Sequence, residues 1–233
     1  MTMWIILSGI IAPALFWMGY FYYKDRFRPE PLIKIGTCYV MGILSGFLCL
    51  KFFHFLNMFG LPDDLSIYME TNRWRYLLYN VLLVGGVEEL FKFFPFLAAL
   101  RFKAFDEKVD GFVYASMIAL GFASYENSLY LVYMSGPEML GRAFASPLSH
   151  TIFASIWGYA VGAAKIQKKS LWRAVAVSLP AAAIFHGVFN FLTTSPLLRI
   201  GSALLILGGW IWRIRIQDKS LKADKKLSSG KKF

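Results

Sequence analysis

Val81–Pro95 reads VLLVGGVEELFKFFP, an apolar run that carries Glu88, Glu89 and Lys92 near its middle. Charges at that depth in a bilayer cost at least a few kcal/mol each, so they persist only when paired, hydrated or needed. Glu88 and Lys92 are four residues apart and share a helix face, while Glu89 projects about 100° round the helix. Two carboxylates and an ammonium therefore form a small polar site in a helix that is otherwise compatible with lipid.

Working outward, composition supplies the solvent for that helix. Hydrophobic residues make up 57% and charged residues 17% of the 233, where a soluble domain carries about a quarter charged. The surplus calls for a non-aqueous surrounding and excludes a separate soluble domain. The net charge of +11 would suit nucleic acid. The basic residues, however, gather in short loops and at the C-terminal end, where membrane topology puts them, so no nucleic-acid partner is expected. Cys38 and Cys49 lie in one apolar run, roughly 16 Å apart if it is helical, too far to bridge. They read as small buried hydrophobes. The first apolar run has its charges after it rather than before it, so it reads as an uncleaved first span.

Apolar runs of bilayer length fall at Met3–Tyr23, Leu32–Phe53, Tyr76–Leu100, Gly111–Tyr133, Pro147–Ala164, Ala174–Thr193 and Leu197–Trp212. The expected fold is an all-α polytopic transmembrane bundle of about seven spans, with residues 1–212 as one integral-membrane domain. Loops rich in Lys and Arg alternate with poor ones: KDRFRPEPLIK is basic, GLPDDLSIYMETNR acidic, and KIQKKSLWR basic again. The positive-inside rule then puts the N-terminus outside and the C-terminus in the cytoplasm. Residues 213–233 read as a basic, disordered cytoplasmic tail in reach of anionic headgroups.

Polar residues inside the spans are few. Beyond the opening stretch they are Glu126 and Asn127 in GFASYENSLY, His150 in SHTIFAS, and His186 and Asn190 in FHGVFNF. His186 and Asn190 share one helix face. Counting from the outer helix ends at 1.5 Å per residue puts Glu88 roughly 18 Å deep, Glu126 and His186 roughly 10 Å, and His150 only about 5 Å. The groups are expected to converge in the outer half of the bilayer, between the third and sixth spans. Gly85, Gly86 and Pro95 would permit a kink that lets water in. Asn127 and Asn190 have a plainer reading as interhelical glue, and a lone Glu could be a proton relay.

One carboxylate of such a pair suits a general base for water, with a histidine opposite as proton donor or as an oxyanion partner beside Asn190. No GxSxG or HExxH motif occurs. VEELFK, DGFVYASMIALGFASYENSLY, SHTIFASIWGYAVG and FHGVFNF, with KDRFRPEPL after the first span, together resemble the PrsW family of membrane proteases. That family is similar to the wider CPBP superfamily, which includes the type II CAAX prenyl endopeptidases and whose motifs are EExxxR, FxxxH and HxxxN/D. Glu88-Glu89 fits the first, with Lys92 displaced and in place of arginine. Phe122 to Glu126 fits the second with Glu in place of His, and His186 to Asn190 fits the third.

The resemblance implies a glutamic-type intramembrane endopeptidase of the bacterial cell membrane. It would make the first, extracytoplasmic-side cut in a single-span membrane protein such as an anti-sigma factor. The expected catalytic residues are Glu88, Glu89, His186, Glu126, His150 and Asn190, with Lys92 holding the acid pair and no cofactor required. Which glutamate is the base stays open. The rivals are a zinc-dependent hydrolase using His150, His186 and a glutamate, and a proton-coupled transporter using the acids as relays.

Overall fold

In a computed structural model of the chain, which describes residues 3–26, 28–61, 71–195 and 197–229, the apolar runs fold as helices. Among the described residues there is no strand. In chain order they are α1 (Met3–Lys24), α2 (Leu32–Asn57), α3 (Arg73–Tyr79), a π-helical turn (Asn80–Gly85), α4 (Gly86–Ala99), α5 (Asp110–Tyr130), a 3-10 turn (Leu131–Tyr133), α6 (Gly136–Ile166), α7 (Leu171–Thr193) and α8 (Arg199–Ser229). By length and composition α1 over Ile6–Lys24, α2 and α7 are able to cross a membrane. The acidic loop falls largely on residues 62–70, outside the described set.

Local chemistry sets the helix ends. Asn72 caps α3 by accepting the Arg75 N–H, and Ser170 caps α7 by accepting that of Arg173. Lys168 takes a left-handed φ of 54° after α6, and Lys169 N–H reaches back to the Ala164 carbonyl. That pair of features closes the helix as a Schellman motif does.

α5 is the axis of the bundle: residues 110–124 are all buried, enclosed by neighbouring helices. Helices in lipid gain little from hydrophobic burial and associate through close packing, so small residues mark their contacts. Gly42 of α2 lies against the backbone of Ile118, and Gly121 of α5 against that of Tyr39. Gly158 and Gly162, a GxxxG pair on α6, meet Gly111. A Cβ at any of these positions would run into main chain.

Two expectations need correction. His150 is not near a helix start. α6 begins at Gly136, well before Pro147, and His150 is only 4% exposed. Pro147 looked like a boundary, but it sits inside the helix. α8 runs past Trp212 through the stretch expected to be a disordered tail, up to Ser229. Arg213 and Gln217, four apart on one face, are buried. Arg213 donates to Ser116 Oγ at 2.7 Å, and its guanidinium lies 4.1 Å from the Phe21 ring. Residues 230–233 of that tail lie outside the described set.

At one end of the bundle three acids are buried together. Asp25 accepts the Glu30 N–H at 3.2 Å, Tyr114 donates to Glu30 Oε2, and Asp110 accepts the Asp106 and Glu107 N–H groups at 2.7 and 2.6 Å. Burial, helped by the nearby charges of Asp110 and Glu107, pushes the Asp25 carboxyl from its ordinary 3.8 up to about 7. A carboxyl whose pKa is raised on folding is stabilising when protonated, so its contribution is full below the unfolded value and is lost as pH rises towards the folded one. The melting temperature in detergent should therefore fall between pH 3.8 and about 7, and Asp25→Asn should flatten that fall. A variant with the same pH profile as wild type would contradict the assignment. Gly187→Ala tests the packing: its Cβ would strike the backbone of Asn80 and Val81, and the expected loss is about 1–3 kcal/mol of unfolding free energy. An unchanged melting curve would show that α7 has room to spare.

Candidate active site

The site is built where α7 crosses the π-helical turn. Gly85 lies against the main chain of Ala183 and Gly187, and Gly187 lies against Asn80 and Val81. π-Turns inside helices are frequent at functional sites because the extra residue re-aims the turn that follows. Here the turn that follows opens α4 and carries Glu88 and Glu89, while the close crossing brings His186 of α7 against them.

Glu89 is fully buried, and donors fill both of its oxygens. Oε1 accepts Lys92 Nζ at 2.8 Å and His186 Nδ1 at 2.9 Å, and Oε2 accepts Trp157 Nε1 at 2.9 Å. A buried carboxylate is tolerable only when paired and hydrogen-bonded in this way. Lys92 has no solvent exposure. Besides Glu89 it reaches Glu88 Oε2 at 3.4 Å, and it lies 4.5 Å from the centre of the Phe122 ring.

Glu88 differs from its neighbour. Its Oε2 faces His186 Nε2 at 3.6 Å and His150 Nδ1 at 3.9 Å, both longer than hydrogen bonds. The far nitrogen of each ring lies at another acid, hydrogen-bonded in His186 and in close polar contact in His150. His186 Nδ1 is at Glu89, and His150 Nε2 lies 2.8 Å from Glu126 Oε2. Each imidazole thus turns its remaining nitrogen toward Glu88, and His150 Nδ1 is a buried atom with no hydrogen-bond partner. One oxygen of Glu88 and one nitrogen from each histidine lie within 4.8 Å of one another. A His₂Glu set of this kind matches the three protein ligands of a catalytic zinc site, and carboxylates behind the imidazoles are the usual support for one. The aromatic rings fix the histidines: Phe153 stacks on His186 at 5.1 Å, and the two imidazoles meet edge to face at 5.0 Å.

Two cavities reach this cluster from different sides. One, of about 360 Å³, lies between α2, the π-turn and α5 and ends at Glu88 and Glu126. The other, of about 730 Å³, lies between α6, α7 and α8 and ends at His150 and Glu126. Glu126 borders both. Asn190 lines the second cavity one turn beyond His186.

Glu88, Glu89, Lys92, Glu126, His150 and His186, drawn from four separate apolar runs, meet in one cluster, with Asn190 at its edge. Asn127 is buried beside it. Sequence reading missed Trp157 and Arg142. Trp157 is two helical turns after His150 on the same face of α6, so the spacing signal was present, but a tryptophan in an apolar run reads as core. Arg142 falls between the apolar runs Gly111–Tyr133 and Pro147–Ala164, so hydropathy alone places it in a loop. It pairs with Glu126 at 3.0 Å.

A family model described as "PrsW family intramembrane metalloprotease" matches residues 30–212. A protein named Protease PrsW from Oceanobacillus iheyensis is 34% identical over 188 residues, covering 80% of this chain and 82% of that protein. Proteins of the same name from Halalkalibacterium halodurans and Bacillus subtilis are 30% and 28% identical, covering 81% and 83% of this chain and 83% and 84% of their own. No solved structure matches. The chain belongs to the PrsW family and is an intramembrane peptidase.

Proposed function

We propose that this peptidase makes the first, extracytoplasmic-side cut in a single-span membrane protein such as an anti-sigma factor, with Glu88 as the carboxylate that meets the attacking water. The observation that carries the assignment is the contrast between the two glutamates. Glu89 has both oxygens occupied and no exposure, whereas Glu88 borders a cavity and faces two imidazole nitrogens. Glu89 and Lys92 would then be the frame, and Glu126 would orient His150. Asn190 would donate to the oxyanion from the second cavity.

In this scheme Glu88 takes a proton from water as the oxygen attacks the scissile carbonyl, and that proton passes from Glu88, directly or through the histidine nitrogen facing it, to the amine as the C–N bond breaks. The proposed topology has seven spans in the cell membrane, N-terminus outside and C-terminus in the cytoplasm. It is supported by the alternation of basic and poor loops. An outer-half location of the site accords with an extracytoplasmic cut.

A second reading is favoured by the unpartnered His150 Nδ1 and by the family's description as a metalloprotease. Glu88, His150 and His186 fit a divalent ion, which when bound would lower the pKa of a coordinated water and polarise the carbonyl. Glu89 and Glu126 would fix both rings with the correct nitrogen forward in either reading.

Cleavage of a co-expressed single-span membrane protein, compared between wild type and the Glu88→Gln and His186→Ala variants, tests the proposal. Each should lower the rate about 100-fold or more while insertion into the membrane is retained. Full cleavage by Glu88→Gln would remove Glu88 from the chemistry. Metal analysis decides between the readings. About one ion per chain, lost in His150→Ala, supports the metal centre. Undiminished cleavage by metal-free protein in chelator supports the carboxylate alone.

A further inference from the structure

Arg142 is the cation that stands behind His150, one contact removed from the reacting groups. It projects from α6 two turns before His150, and its Nη2 lies 3.0 Å from Glu126 Oε1. The other oxygen of the same carboxylate lies 2.8 Å from His150 Nε2. The guanidinium is seated 3.9 Å over the ring of Tyr130, one turn along α5 from Glu126. Its side chain is 24% exposed and that of Glu126 21%, so the pair is neither a fully solvated surface bridge nor a sealed core pair. Glu126 borders both cavities and Arg142 borders the larger one.

These contacts leave Glu126 one arrangement. A carboxylate between two cavities, held only by a neutral imidazole, would be free to turn into either space and hydrate. Arg142 takes one of its oxygens, and the Tyr130 ring restricts the guanidinium to that side. The other oxygen is thereby left facing His150 Nε2, and this directs Nδ1 toward Glu88. Fixing an imidazole through a carboxylate is worth about 10- to 100-fold in metal affinity or activity where it has been measured.

We propose that Arg142 is a positioning residue for the peptidase reaction: through Glu126 it sets the orientation and tautomer of His150. The inference rests on the reading of Glu88, His150 and His186 as the reactive centre. No hydrogen bond or ion pair joins Arg142 to those three groups, so what it does through Glu126 belongs in the turnover step.

Steady-state cleavage by purified protein in detergent, with melting temperature measured alongside, tests the role. Arg142→Met should lower kcat by about 10- to 100-fold with KM within about twofold of wild type. Arg142→Lys, which keeps the charge, should recover most of the loss. Added to Glu126→Gln, Arg142→Met should cause no further loss, because the two act through one contact. A merely structural bridge would lower the melting temperature and leave kcat per folded molecule unchanged. If Arg142→Met does not fold, Arg142→Gln takes its place in the same measurements. Wild-type kcat in the neutral variant, or losses that simply multiply with those of Glu126→Gln, would overturn the proposal. Glu88→Gln is run beside them. An active Glu88→Gln removes the site reading itself, whereas an inactive one beside a fully active Arg142→Met removes only the role of Arg142.

Discussion

A carboxylate without access to water must have its oxygens filled by donors, and Glu89 meets that demand with groups from three helices. Lys92 comes from its own helix α4, Trp157 from α6 and His186 from α7. Removing any one leaves part of a buried charge uncompensated, a penalty that exceeds the net value of the bond itself. Buried ion pairs of this kind are weak evidence for stability, because desolvation offsets most of the attraction. Their effect here is on arrangement: only one relative placement of α4, α6 and α7 satisfies all three donors at once. The next residue back, Glu88, is then presented to a cavity between two imidazoles whose outer nitrogens lie against Glu89 and Glu126.

Close helix packing makes this polar constellation possible. Gly85 and Gly187 let α7 approach the π-turn at main-chain distance, just ahead of α4, and the glycines of α2, α5 and α6 do the same around the central helix. With backbones this near, side chains as short as glutamate span from one helix to the next. The same packing leaves two cavities that meet at Glu126. Both fall within the few-hundred-Å³ range of small-molecule pockets, enough for side chains of an extended peptide rather than for a folded domain.

Much of this was legible in the sequence, because lipid makes ionisable residues conspicuous. Every apolar run proved to be helical. The acids and histidines flagged as too costly to be idle gather in one place, and the i,i+4 pairing of Glu88 with Lys92 appears as a contact of 3.4 Å. One feature was not legible and one only in part. The separate roles of Glu88 and Glu89 depend on which helices cover each, and no local spacing encodes that. A donor set of His150, His186 and a glutamate was legible from the residue types, but its members come from three different helices with no counterpart to HExxH, so the sequence left open that the glutamate is Glu88. Arg142 and the α8 residues Arg213 and Gln217 were misplaced for a shared reason: hydropathy ends a span at the first proline or cluster of charges, whereas buried polar partners let the helix continue.

The central claim is that Glu89 holds the helices together while Glu88 does not. Thermal unfolding of the two isosteric variants in the same detergent tests it most directly. Glu89→Gln should melt several degrees below wild type, as expected for a loss of about 2 kcal/mol or more in a bundle of this size, while Glu88→Gln melts with wild type. Equal melting temperatures for Glu89→Gln and wild type, or a loss confined to Glu88→Gln, would contradict the account.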